Sequence, residues 1–192
     1  MSNVPRLLQP YDQWIIDNEG HVAGVQLTDS AKPTLFRNIA PYYGTFLDLT
    51  NQTALANTAT ATKFGTEQIA SGVSVVDDTK IVVDRDGVYN IQFSAMFDNP
   101  GSTEYDVSVW LDVNGSSVAG SNTDLTVPKK HGSINGHAVA SWNFFVQLSA
   151  SDYVRLMWST PMATVFIAYQ AAQVDPARPT TPSVILTVNQ VN

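Results

Sequence analysis

Apolar and polar residues alternate most clearly between residues 88 and 98. Tyr89, Ile91, Phe93, Ala95 and Phe97 fall on one face of this stretch, and Asn90, Gln92 and Ser94 fall on the other. A period of two is typical of a β-strand with one face in the core and one in solvent. The same alternation recurs in four further stretches, namely Tyr105 to Val113, Ala138 to Leu148, Val154 to Trp158 and Val184 to Val188. These rows predict a shared core that buries Tyr89, Ile91, Phe93, Trp142, Phe144, Leu156, Trp158 and Leu186.

From Tyr42 onward, turn residues interrupt the alternation about every ten positions, and no helical periodicity is visible. Weaker strand signals lie at Gly44 to Thr50, Gly72 to Val76, Thr79 to Val83, Asn122 to Val127 and Thr164 to Gln170. With strands of ~5–6 residues this gives about ten strands. The pattern predicts an all-β protein, an antiparallel jelly-roll sandwich.

The chain before Pro41 has few strand signals. Three prolines interrupt it, and the only hairpin signal joins Trp14-Ile15-Ile16 to the stretch from His21 to Leu27. An isolated hairpin is marginal in water, so this segment must pack on something larger. We predict an extended N-terminal arm over residues 1–40 and a jelly-roll domain over residues 41–192.

Composition excludes several partners. The net charge is -7 and the ten Lys and Arg residues are scattered, which disfavours nucleic acid. No apolar run approaches the ~20 residues that span a bilayer, so no membrane partner is expected. There is no cysteine, so disulfides and thiolate chemistry are excluded.

The sequence contains no recognisable catalytic motif. His21, His131 and His137 lie in no motif, and the last two are predicted in a solvated loop. Turn chemistry explains Asp84 to Gly87, Asp112 to Gly115 and the pair Asp77-Asp78 better than calcium loops or paired catalytic carboxylates do. We therefore predict no enzyme activity, no metal and no cofactor. The aromatic residues Trp110, Trp142, Phe144, Phe145 and Trp158 favour core or interface positions, with sugar binding as the alternative.

Several motifs resemble those of known families. Gly87-Val88-Tyr89-Asn90-Ile91-Gln92-Phe93 resembles a strand of the tumour-necrosis-factor and complement-globular-domain jelly rolls. The stretches from Tyr43 to Phe46, Asp106 to Leu111, Gly136 to Phe144, Asp152 to Ser159 and Pro176 to Val188 look like a jelly-roll domain of tailed-phage virion proteins. The resemblance covers about residues 42 to 191 and implies a trimeric domain. The arm resembles the attachment segment of capsid decoration or head-fibre proteins.

The resemblance implies a non-enzymatic structural protein of a bacteriophage virion, a capsid decoration, cement or head-fibre homotrimer. It would assemble in the host cytoplasm and lie on the outer capsid surface, bound to the major capsid protein by the arm. The predicted capsid anchors are Trp14, Ile15, Ile16 and Val25, and the predicted trimer-interface residues are the leftover apolar Val139, Phe145, Ile185 and Val191. The alternatives are a receptor-binding tip that holds a host surface glycan and a depolymerase with a carboxylate pair. Copy number per virion separates the tip from a decoration protein, and polysaccharide digestion tests the depolymerase.

Overall fold

The chain forms two compact units, residues 1–40 and 41–192. The computed structural model describes the backbone of residues 13–16 and 22–26, and the whole of residues 42–191. In the first unit, β1 (Gln13–Ile16) pairs antiparallel with β2 (Val22–Gln26), with Trp14 opposite Val25. The hairpin predicted in this segment is thus confirmed for its two strands.

All the regular elements in the described part of the second unit are β-strands. In chain order these are β3 (Tyr43–Asp48), β4 (Gln52–Thr53), β5 (Thr60–Ala61), β6 (Thr66–Ser71), β7 (Val73–Val76), β8 (Lys80–Val83), β9 (Gly87–Asn99), β10 (Tyr105–Val113), β11 (Ser116–Ser117), β12 (Thr123–Val127), β13 (Gly136–Leu148), β14 (Tyr153–Ser159), β15 (Phe166–Ile167), β16 (Gln173–Val174), β17 (Ala177–Arg178) and β18 (Val184–Gln190). All their pairings are antiparallel.

Eight of these strands form the body of a two-sheet sandwich. Sheet I has the order β3-β18-β9-β13, and sheet II has the order β8-β14-β10-β12. Numbered along the chain, the eight strands run 1-8-3-6 in one sheet and 2-7-4-5 in the other, which is the double Greek-key winding of a jelly roll. The all-β jelly-roll prediction is therefore confirmed.

The core lies between the two sheets. Tyr89, Ile91 and Leu186 of sheet I are fully buried, as are Leu156 and Trp158 of sheet II. The rings of Phe97 in β9 and Trp158 in β14 meet edge to face, with their centroids 5.6 Å apart. The inward rows predicted from the alternation thus pack against each other, and fully burying each such side chain contributes about 1.5–3 kcal/mol.

Trp142 departs from the core prediction, because 51% of its surface is exposed. Its register partner is Phe93, which is buried, so Trp142 does belong to the inward row. It is uncovered because β13 is the edge strand of sheet I and the facing edge strand β12 is eight residues shorter than β13. Phe144, on the same row, is half-buried for the same reason and stacks on Phe93 with ring centroids 6.5 Å apart.

Some predicted strand bounds were wrong. The strand expected at Thr164 to Gln170 is reduced to β15, two residues long, and β6 was not predicted. β6 is an edge strand with much exposed surface, so its sequence shows little alternation. β13 begins at Gly136, which places His137 in a strand and corrects its assignment to a solvated loop.

Candidate interaction surface

The outward faces of the two sheets differ in charge. Sheet II carries Asp106 and Asp112 on β10, Asp124 on β12 and Arg155 on β14. The Arg155 guanidinium binds the Asp112 carboxylate, with Nη2 and Oδ1 2.9 Å apart. Such a face interacts well with water and is costly to desolvate.

Sheet I has an outward face without charged side chains across its centre, here termed the uncharged face. Strand register places on it Tyr43, Thr45 and Leu47 of β3, Val88, Asn90, Gln92, Ser94 and Met96 of β9, Val139, Ser141, Asn143, Phe145 and Gln147 of β13, and Ile185, Thr187 and Asn189 of β18. None of these described residues is Asp, Glu, Lys or Arg. A surface of this composition resembles the centre of a protein interface, where charged residues are depleted.

The four predicted interface residues are all solvent-exposed on the isolated chain. Val139, Phe145 and Val191 are 59%, 66% and 47% exposed, and Ile185 is 37% exposed. The first two lie on β13 and Ile185 lies on β18, with β9 between these strands. Val191 follows β18, and its backbone N–H donates to the Val88 carbonyl at 2.9 Å. The structure thus places these residues around one face, but their role in a trimer stays a prediction.

Small polar side chains fill the middle of the uncharged face. An open cavity of about 470 Å³ is lined there by outward-facing Gln92, Ser94, Ser141, Asn143, Ile185 and Thr187. Hydroxyl and amide groups can form hydrogen bonds with a partner without the desolvation cost of a charge. The arrangement suits contact with another protein surface.

A histidine–aspartate pair closes one end of the uncharged face. His137 Nδ1 is hydrogen-bonded to the Asp98 carboxylate, and the two residues lie directly opposite each other on β13 and β9. Asn135 Nδ2 also donates to Asp98, at 3.3 Å. Asp98 is 8% exposed, so its carboxylate is held by partners and adds no isolated charge to the face. This pair could not be predicted from the sequence, because the two residues are 39 positions apart.

The aspartates of the candidate calcium and catalytic motifs lie in turns or accept hydrogen bonds from neighbouring residues. Asp112 Oδ1 accepts hydrogen bonds from the Gly115 N–H and from Arg155 Nε, both at 3.0 Å, as the turn interpretation requires. Asp77 and Asp78 have φ angles of 52° and 58° in the turn between β7 and β8. Asp86 Oδ1 accepts from the Ala150 N–H at 2.7 Å. Within the part of the chain that the structure describes, no cluster of three His, Cys, Asp or Glu side chains could hold a metal ion.

The remaining predicted residues can be placed only in part. His131 lies in a turn, where its backbone pairs with that of Ile134. His21 and the side chains of the predicted anchors Trp14, Ile15, Ile16 and Val25 lie outside the described residues. Over the described ranges, no helix is long and apolar enough to cross a membrane.

Similarity to known proteins is low. No protein-family model matches the sequence, and no curated protein matches it. Among solved structures, the chain is similar to the globular domain of the zebrafish complement 1qA protein, with 10% sequence identity and a TM-score of 0.46. The match covers 79% of this chain and 98% of that domain. At this identity and score, the similarity indicates no function.

Proposed function

We propose that this protein is a non-enzymatic structural protein that forms a homotrimer through the uncharged face of sheet I. The observation that carries the proposal is the exposure of Val139, Phe145, Ile185 and Val191 on or beside a face without charged side chains at its centre. A monomer leaves these apolar side chains in water, whereas association removes them from it.

The size of the face is sufficient for a stable contact. The β9 positions opposite Phe145 and Val139 are Asn90 and Met96, and a strand rises ~3.4 Å per residue, so the two apolar positions lie about 20 Å apart. A specific interface buries ~1,200–2,000 Å² in total, counting both partners. Four half-exposed apolar residues spread over such a distance can form the centre of that interface.

A closed ring of three copies uses two different patches on each copy. In cyclic symmetry, the β13 patch with Val139 and Phe145 would pack against the β18 patch with Ile185 and Val191 of the next copy. The two strands are separated by β9 and therefore lie ~10 Å apart, which leaves room for both contacts.

The finer part of the proposal is the role of the trimer. We propose that it decorates the outer capsid surface of a tailed phage and that residues 1–40 bind the major capsid protein. This part is supported by the resemblance of the strand motifs to phage virion jelly rolls and by the separate N-terminal unit. A decoration protein would be present in hundreds of copies per virion, and a receptor-binding tip in only a few.

The trimer is tested by measuring the solution mass of a face variant and a matched control. Wild-type protein should give about 63 kDa by light scattering, three times the chain mass of 20.9 kDa. Val139→Asp places a carboxylate on the uncharged face and should give a folded monomer of about 21 kDa at micromolar concentration. Val174→Asp is the control, because Val174 is 91% exposed on the β16–β17 hairpin and should leave the mass unchanged. A monomeric wild-type protein would overturn the proposal.

A further inference from the structure

A depression on the outward face of sheet II is built differently from the rest of that face. Its volume is about 340 Å³, and it is lined by Trp110 together with Ser108, Ser117, Gly120, Asn122 and Ser159. Pockets for small molecules begin at about 300 Å³. Because it lies on the opposite sheet from the uncharged face, it remains accessible whether or not the chain forms the trimer proposed above.

Trp110 is a large aromatic residue in a row of small and charged side chains. It lies on the outward side of β10, between Ser108 and Asp112, and pairs across the sheet with Met157 of β14. Its indole Nε1–H donates to Ser117 Oγ at 3.1 Å, which fixes the orientation of the ring. Ser117 reaches this position because the Asn114-Gly115 turn folds β11 back along β10. A ring held in this way presents a fixed aromatic surface on the outside of the sheet and does not contribute to the core.

The polar groups beside Trp110 are oriented by one carboxylate. Asp124 Oδ1 accepts hydrogen bonds from Ser108 Oγ at 2.5 Å and from Asn122 Nδ2 at 3.1 Å. These two hydrogen bonds lower the pKa of Asp124 below its ordinary value, so the carboxylate is ionised at neutral pH. The Ser108 hydroxyl uses its hydrogen to donate to Asp124, and its oxygen can still accept a hydrogen bond from a ligand hydroxyl. Asn122 likewise retains its amide oxygen and a second N–H.

We propose that this depression binds a neutral hexopyranose ring, with an apolar face of the sugar packed on the Trp110 indole. The ring hydroxyls would donate to Ser108 Oγ, and would both donate to and accept from Asn122 and Ser159. Lys and Arg do not line the depression, which disfavours phosphate or another anion as the ligand. The hydroxyl and amide groups that stand beside the apolar Trp110 and Val118 likewise disfavour a purely apolar ligand.

The test follows the four tryptophans of the full-length protein by ¹⁹F NMR after 5-fluorotryptophan labelling. Trp110→Phe identifies the Trp110 resonance, and the probes are glucose, galactose, mannose and N-acetylglucosamine at millimolar concentrations. At least one sugar should shift the Trp110 resonance saturably and leave the Trp158 resonance, from the core, unchanged.

Two variants and a control define the site. Trp110→Ala should weaken binding of that sugar by at least about tenfold, measured by calorimetry, and Asn122→Ala by about fivefold. Trp142→Ala, on the other sheet, should leave the affinity unchanged. If none of the four sugars gives a saturable Trp110 shift, or if Trp142→Ala abolishes binding while Trp110→Ala does not, the proposal is overturned. Because oligomeric mass is measured separately, failure here would leave the trimer proposal standing.

Discussion

At the scale of single residues, burial in this sandwich depends on what the opposite sheet supplies. Phe93 lies on the central strand β9 and is 4% exposed, because Phe144 stacks on it and sheet II covers it. Phe145 is the next residue after Phe144 on β13 but points to the outward face, and it is 66% exposed. Phe93 therefore contributes to folding, and Phe145 would contribute to association in the proposed trimer.

Truncation of Phe93 should be costly. Phe93→Ala removes a buried ring and leaves a cavity, and we expect the free energy of unfolding to fall by about 3–5 kcal/mol. Leu55→Ala is the control, because Leu55 is 74% exposed and should change stability by less than about 0.5 kcal/mol. Urea denaturation followed by circular dichroism measures both. Equal effects of the two substitutions would contradict the assigned core.

Asp152 should give the stability of the protein a pH dependence in acid. The Ser149 N–H and the Asn114 side-chain amide donate to its carboxylate at 2.8 and 2.7 Å and lower its pKa from the ordinary 3.8. A carboxyl with a lowered folded-state pKa stabilises the fold above its unfolded-state pKa, and this contribution is lost as the pH falls through the folded value. Asp152→Asn should therefore be less stable than wild type at pH 7, and the difference should shrink at an acidic pH below the folded-state pKa of Asp152. Urea midpoints at the two pH values measure it, and a difference independent of pH would contradict the assignment.

At the scale of elements, β13 contributes both to the fold and to the uncharged face. It pairs with β9 along thirteen residues, from Gly136 opposite Asn99 to Leu148 opposite Gly87, and supplies two of the predicted interface residues. Its start is held close to the segment that follows β12. A Cβ built on Gly136 would lie 1.8 Å from the carbonyl oxygen of Pro128, so the backbone passes there at a distance that only glycine permits.

Any side chain at Gly136 should disturb the entry into β13. Gly136→Ala must displace the backbone of Pro128, and we expect a loss of at least about 1–3 kcal/mol in the free energy of unfolding. Ser133→Ala, an exposed change in the same loop, should alter stability by less than about 0.5 kcal/mol. Thermal denaturation monitored by circular dichroism compares the two. A fully stable Gly136→Ala protein would show that the two segments are not in contact.

Sequence patterns predicted the strands with a covered face and failed at the edges. The alternation in β9 and β18 gave the correct core face, because central strands are covered on one side along their whole length. The alternation in β13 is equally regular, yet Trp142 is exposed, since no local pattern reports the length of the strand across the core. The Asp98–His137 pair and the Trp110 depression were not predictable for a related reason: strand pairing and a turn bring their residues together from separate stretches.

At the scale of the whole molecule, the jelly roll has two faces of different chemical character. Sheet I presents the uncharged face, which suits contact with further copies, and sheet II presents charged residues and the Trp110 depression, which suit solvent and a small ligand. If three copies assemble on sheet I, each trimer carries three N-terminal units. Linked segments bind a common surface with high effective concentration, so contacts that are weak singly can hold the particle for long periods.

Deleting residues 2–36 should therefore abolish binding to the capsid while leaving the trimer intact. The deletion removes the β1–β2 hairpin and the proposed anchors Trp14, Ile15, Ile16 and Val25, but none of the jelly-roll strands. Light scattering should give a trimer with the mass expected for the shortened chain, since the proposed contacts lie on β13 and β18. Cosedimentation with decoration-free capsids should show binding by the full-length protein, weaker binding by Trp14→Ala, in which a large aromatic anchor is lost, and none by the deletion. A truncated trimer that still saturates those capsids would show that the jelly roll is the anchor. Residues 1–40 would then pack on their own chain and would not bind the capsid.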